Sequence, residues 1–257
     1  MPWWLKQMRD GYRPLTGAGL DGAQRRFTPK FVSPMAVLHH HAFCPHSRFV
    51  RLAMGEIGLE PQIEEQRPWE RDRSFLMLNP SGTTPVLQEN EIAIPGAGVI
   101  VEYLDETRGL GMDRRLMPSD PAARVEVRRL LDWFNVKFHE EVTCHLVSEK
   151  IYKRFSREAP DPAAIRAART NMRYHLRYIG YLASTRDWLA GPDLTYADLA
   201  AAAHLSSADY LSDVPWEEDE MAKEWYARVK SRPTFRSLLA DRVPGMTPPS
   251  HYADLDF

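Results

Sequence analysis

The run Cys44-Pro45-His46-Ser47 holds the side chains best suited to covalent chemistry. A thiol just ahead of a helix start has its pKa lowered and becomes a nucleophile, while the same cysteine in a plain turn only packs. The residues alone leave both readings open. Position 47 is serine, so there is no Cys-x-x-Cys dithiol, and the second cysteine, Cys144, is far along the chain. Ser47 reads as the N-cap of the following helix. His39, His40 and His41 precede this run, and His46 lies within it. Alternate residues of a strand point to opposite faces, so three consecutive imidazoles cannot converge on one ion, and no metal site is expected.

Two other groups suit binding rather than catalysis. Trp69 follows Arg67 and Pro68 in a stretch without helical or strand periodicity. An exposed tryptophan beside an arginine is a common composition for a binding hot spot. Its alternative is a tryptophan folded back on the core. At the far end, Tyr252, Leu255 and Phe257 supply apolar anchors, and Asp254, Asp256 and the terminal carboxylate supply negative charge. That mixture suits a docking peptide that inserts an aromatic and meets basic side chains. The alternative is a tail laid over its own groove.

The elements that position these residues follow from the pattern. Val37 to His41 reads as a strand, Arg48 to Ile57 as a helix ended by Gly58, and Pro61 to Glu65 as a second strand. Glu70 to Leu78 predicts a short helix, Thr84 to Gln88 and Glu91 to Ile94 two strands, and Gly98 to Glu106 a helix. The order β-α-β-α-β-β-α is that of a thioredoxin-like unit. Residues 108–121 form a Gly/Pro-containing linker, after which every periodic segment is helical. Val127, Leu130, Phe134, Phe138, Val142 and Leu146 mark one long helix. Asp161-Pro162 opens the next, Thr195 to Asp198 has the spacing of a capping box, and helices follow near Met221 to Val229 and Phe235 to Leu239. The expected organisation is an arm over 1–34, a thioredoxin-like domain over 35–107, the linker, an all-helical domain over 122–243, and a tail over 244–257. Pro244, Gly245, Pro248 and Pro249 predict that the tail leaves the last helix as extended chain. The arm is basic and Gly/Pro-rich, which reads as disorder or as an upstream extension. Its Trp3-Trp4-Leu5-Lys6 start could touch a membrane surface weakly.

Composition narrows the function classes. The formal net charge of −2 recruits neither nucleic acid nor anionic membrane. No apolar run approaches the ~20 residues of a membrane span, so stable insertion is not expected. Two distant cysteines and no secretory signal point to the reducing cytoplasm.

Four segments, in order, resemble landmarks of the glutathione S-transferase superfamily. They are Asn79-Pro80-Ser81-Gly82-Thr83-Thr84-Pro85-Val86-Leu87, the Pro118 to Pro121 linker, the Thr195 to Asp198 cap, and Arg232-Pro233-Thr234-Phe235. The resemblance runs from Ala36 to about Pro244 and implies an α/β thioredoxin-like domain docked on an all-α domain, as a homodimer. It implies a cis Thr84–Pro85 bond whose Thr84 backbone pairs with the cysteinyl part of glutathione. It also places Ser47 where serine-type transferases hold their hydroxyl, and makes Cys44-Pro45 similar to the Cys-Pro-x-x motif of glutaredoxin-like transferases. Active transferases carry a Glu/Asp-Ser pair where this chain has Gly96 and Ala97. Losing that charge-assisted anchor costs ~1.5–3 kcal/mol, which implies a weak glutathione pocket.

One branch of the superfamily is more similar still: transferase-like division proteins that bind FtsZ. The similarity rests on His39-His40-His41 leading into Pro45 to Arg48, on Trp69 in the loop by the pocket, on the missing Glu/Asp-Ser pair, and on the terminus Pro248 to Phe257. It implies a non-catalytic protein without a cofactor, located in the cytoplasm at the division site. Such a protein binds the FtsZ polymer, promotes constriction and signals to the division machinery through its tail. Trp69, Tyr252, Asp254, Asp256 and Phe257 would then face partners. The alternatives are a glutathione-dependent transferase or thioltransferase using Ser47 or Cys44, and a structural subunit without polymer contact.

Overall fold

The computed structural model describes residues 36–255. The arm read over 1–34, and the tail residues Asp256 and Phe257, lie outside the described residues.

The β-branched and apolar residues around Leu38 build a four-stranded sheet with the order β2-β1-β3-β4. Its strands are β1 (Ala36–His40), β2 (Gln62–Glu65), β3 (Val86–Glu89) and β4 (Ile92–Pro95). β1 pairs with β2 in parallel, Leu38 opposite Ile63, and with β3 antiparallel, Leu38 opposite Leu87. The parallel pair is joined through α1 (Pro45–Glu56), as a parallel crossover requires. α2 (Arg73–Leu78) and α3 (Ala97–Thr107) complete the first half.

α1 begins three residues earlier than expected. Pro45 takes the first helical position, where its missing N–H costs nothing, and Cys44 becomes the N-cap, with no side-chain cap bond. Ser47 is therefore not a cap. It lies inside the first turn, fully buried, and its Oγ accepts the His41 N–H at 3.4 Å. The helix expected from Glu70 starts at Arg73 instead. Arg71 adopts a left-handed conformation at φ 50°, and Asp72 caps the helix by accepting the Phe75 N–H at 3.0 Å.

The second half is helical. A long rod, α4, spans residues 121–156. It starts as α-helix (Pro121–Asp132) under an Asp120 cap and passes through π-helical turns at Trp133–Thr143 and Ser148–Tyr152, separated by Cys144–Val147. α5 (Pro162–Thr185) starts under Asp161 as predicted. α6 (Tyr196–Tyr210) carries the predicted capping box between Thr195 and Asp198, and all of its residues are buried. α7 (Glu220–Lys230) and the short α8 (Arg236–Leu239) close the chain. α6 is the hub of the core: it packs against α1 on one side and against α4 and α7 on others. The two halves share this core, and the chain from Ala36 on forms one compact unit.

Beyond α8 the chain does not leave the body as expected. Ser250–Tyr252 makes a 3-10 turn and Tyr252 is fully buried. The cause is Arg48, a buried cation that needs acceptors. Its Nη1 donates to the Tyr252 hydroxyl at 3.1 Å, and that hydroxyl donates to the Leu238 carbonyl at 3.1 Å.

Candidate functional site

Three chain turns and one helix face enclose a cavity of about 670 Å³. The turn after β1 contributes Cys44, Pro45 and His46; the loop before β3 contributes Thr83 and Thr84; the start of α3 contributes Gly96, Ala97 and Gly98. The opposite wall is α4, through Leu131, Asn135, His139, Cys144, Val147 and Tyr152. Asn135, His139, Cys144, Ser148 and Tyr152 follow one another in steps of four and five residues. The π-helical turns give that spacing, and such turns often mark functional sites.

Cys44 is anchored by two backbone contacts. Its N–H donates to the His41 carbonyl at 3.0 Å, which closes the turn after β1, and its Sγ donates to the Thr84 carbonyl at 3.5 Å. Thr84–Pro85 is a cis peptide bond. His46 Nε2 donates to the Asn135 carbonyl at 2.9 Å. In the neutral ring that bond leaves the lone pair on Nδ1. Burial alone would raise the Cys44 thiol. Together, the hydrogen bond and charge of His46 and the hydrogen bonds of Thr84 and Ser47 outweigh it, and the thiol falls to about 7. Burial likewise works against a charged His46, but the Cys44 contact and the Asn135 bond raise it overall. Cys144 has no such partner, and burial pushes its thiol up.

Behind His46 runs a polar chain. His204 Nε2 meets Asn135 Oδ1 at 3.3 Å, His204 Nδ1 meets Thr143 Oγ1 at 3.0 Å, and Thr143 Oγ1 meets His139 Nδ1 at 3.1 Å. The His46 ring packs edge-on against both His139 and His204, with centroids 4.5 and 5.2 Å away. Burial and neighbouring histidine charges hold His139 down to about 4 and His204 well below its ordinary value. Both rings are therefore neutral hydrogen-bonding members at pH 7. Among the described residues no three ligating side chains converge on a metal position.

Of the residues expected at a glutathione pocket, Thr84, Gly96 and Ala97 line the cavity, Pro85 sits buried behind Thr84, and Ser47 faces away into the β1 turn. Gly96 stands at φ 90° with nothing within 4 Å of where a side chain would begin, and neither a glycine here nor an alanine at 97 carries a charge or hydroxyl.

Trp69 is half-buried on a 3-10 turn (Pro68–Glu70). It stacks on Phe155 at 5.3 Å and 17°, and leans on Tyr152 at 4.9 Å and His41 at 5.3 Å. It is thus folded toward the helical half, the alternative weighed for it. Tyr252 belongs to the core and offers no free anchor in this conformation. Asp254 is exposed.

Sequence reasoning weighed His46 only as a metal ligand and missed Asn135, His139 and His204. The Cys-x-His spacing at a helix start was a usable signal, whereas the pairing of α4 with α6 that gathers the other three is long-range.

Family models for the glutathione S-transferase N-terminal and C-terminal domains match residues 38–111 and 118–233. The chain is 50% identical over 226 residues to the FtsZ-localized protein A of Caulobacter vibrioides, covering 86% of this chain and 97% of that one. It is 25% identical over 173 residues to the glutathione S-transferase GstB of Escherichia coli, covering 65% and 78%. Among solved structures, a glutathione S-transferase from Sinorhizobium meliloti superposes with a TM-score of 0.84 at 50% identity, covering 87% of this chain and all of that one. FzlA from C. crescentus superposes at 0.82 and 49% identity, covering 86% and 99%.

Proposed function

This chain belongs to the glutathione S-transferase family, and from that premise we propose that it uses the fold as a binding module, associating with the FtsZ polymer at the division site in the cytoplasm and promoting constriction. The observation that carries this reading is the half-identity to an FtsZ-localized protein along nearly its whole length. No described helix is long and apolar enough to cross a membrane, so attachment to the division site runs through protein contacts in this reading. Glutathione is not required: Gly96 and Ala97 offer its γ-glutamyl end no side-chain partner. The competing transferase reading through Ser47 meets a hydroxyl that is buried and turned to the His41 N–H.

The module works as a homodimer in this proposal. Val99 of α3 and Val125 of α4 are 59% and 66% exposed. They stand three residues before Glu102 and Arg128, which bridge the two helices at 3.0 Å, so the two valines share one surface. A second copy would cover them.

Co-sedimentation with GTP-assembled FtsZ at physiological salt tests the central claim. Saturable pelleting that disappears without filaments is expected. Protein left in the supernatant at all filament concentrations would overturn it.

A further inference from the structure

We propose that the outer face of α5, together with the acidic run beside it, is a docking surface for a second copy of this chain. The contact is separate from the polymer-binding reading and does not depend on it.

α5 (Pro162–Thr185) holds four arginines and no aspartate or glutamate. Arg166, Arg173 and Arg177 recur at steps of seven and four, so they stand on one face, and all three are exposed. Tyr174 and Tyr181 recur seven apart along the edge of that face and are 67% and 63% exposed. Arg169 and Arg173 are taken up inside the molecule, by Asp213 at 2.6 Å and Glu218 at 2.6 Å. Arg166 and Arg177 bridge to no carboxylate among the described residues, and Arg177 lies over the Tyr174 ring at 5.4 Å. Exposed arginine and tyrosine together are the composition of interface anchors.

The occupant follows from what lies next to the arginines. Glu217, Glu218, Asp219 and Glu220 run alongside α5. Glu218 meets Arg173, and the Asp219 carboxylate stands so close to Gly180 that a Cβ there would touch it. Asp219 also caps α7, whereas Glu217 and Glu220 are exposed and bridge to no cation among the described residues. These acids repel an acidic peptide, a nucleic acid or an anionic membrane brought up to the arginines. A patch with a positive and a negative stripe side by side complements itself instead. A two-fold axis running between the stripes sets the arginines of each copy against the acids of the other. Tyr174, Tyr181 and Met221, which follows the acidic run and is 41% exposed, add apolar surface to the charge. None of these residues belongs to the Val99–Val125 surface, so the contact would join dimers to one another.

Sedimentation velocity of the full chain over a concentration series, at about 50 mM and about 500 mM NaCl, gives the test. At low salt a species heavier than the basal one should grow with concentration, and high salt should weaken it at least about tenfold. Arg166→Glu combined with Arg177→Glu should weaken it at least about tenfold at low salt, and so should Glu217→Arg combined with Glu220→Arg. Mixed in equal amounts, the two variants should form it again, because each stripe then meets its opposite charge. A wild type with no such species at low salt, variants that leave it unchanged, or a mixture that fails to restore it would overturn the proposal. A dimer held by Val99 and Val125 persists in every sample, so the two contacts are read apart. The salt response and the arginine variant decide the matter even if the acid variant, which alters the first turn of α7, fails to fold.

Discussion

Arg48 is a fully buried cation held by acceptors from four places in the chain. They are the Ala42 carbonyl at 2.8 Å, Ser206 Oγ at 2.9 Å, the Tyr252 hydroxyl at 3.1 Å and Asp241 Oδ2 at 3.2 Å. Its guanidinium also lies 4.4 Å from the Phe43 ring centre. Arg48→Ala strands buried acceptors and opens a cavity, so a loss of about 3–5 kcal/mol in urea unfolding is expected. Tyr252→Phe keeps the packing and removes only the hydroxyl, so the same measurement should read about 1–2 kcal/mol. A larger loss for the phenylalanine than for the alanine would refute this account. The residue scale also sets glutathione affinity. Isothermal calorimetry should find no saturable binding below millimolar, and micromolar affinity would show that the backbone at Gly96 and Ala97 suffices. Restoring the acid at Gly96 meets φ 90°, where a side chain costs about 1–2 kcal/mol, so Ala97→Ser is the gentler first change.

Among the elements, those with local signals were readable and those with long-range causes were not. Thr195 and Asp198 announced α6, and Asp161-Pro162 announced α5, because caps and first-turn prolines act within four residues. The π-helical turns of α4 left no trace, since Phe134, Phe138 and Val142 fit an ordinary helix stripe equally well. Pro45 was overlooked as a first-turn residue, which moved the start of α1 and turned Ser47 from cap to core. The tail was misjudged because its tie, Arg48, lies 204 residues away. Two predictions belong to these elements. Removing residues 250–257 takes Tyr252 away and should lower the melting temperature by several degrees, whereas restoring the chain through Tyr252 should recover most of that loss; no recovery would place the tie elsewhere. Trp69→Ala gives up the Phe155, Tyr152 and His41 contacts and should lower stability by about 1–3 kcal/mol, checked by chemical denaturation. An unchanged midpoint would mean that the stacking contributes little.

Across the whole molecule, the buried imidazoles set the response to acid. Burial, with help from neighbouring positive charges, lowers His40 to about 3 and His41 and His139 to about 4, and holds His204 well down. These rings stay neutral in the folded protein, while each takes a proton in the unfolded chain below about 6.5. The stability they contribute is complete above pH 6.5 and is lost as pH falls toward their folded values, by up to about 1.4 kcal/mol per ring and pH unit. Burial lowers His175 as well, and His46, whose value is raised, works the other way but is one ring against five. The melting temperature should therefore drop steeply between pH 6.5 and 4.5; a flat profile would show that the rings become protonated inside the fold.

The Arg48 cluster also sets a schedule for biosynthesis. The acceptors Asp241 and Tyr252 lie 193 and 204 residues downstream of the arginine. At roughly 5–20 residues per second, the ribosome makes Arg48 about 10–40 s before it makes Tyr252. Throughout that interval the nascent sheet and α1 carry a cation that has to stay hydrated, so α1 cannot seal against α6 in its final form. Two of the arginine's four acceptors are thus missing from the interface between the halves until nearly the last residue of the fold has been added.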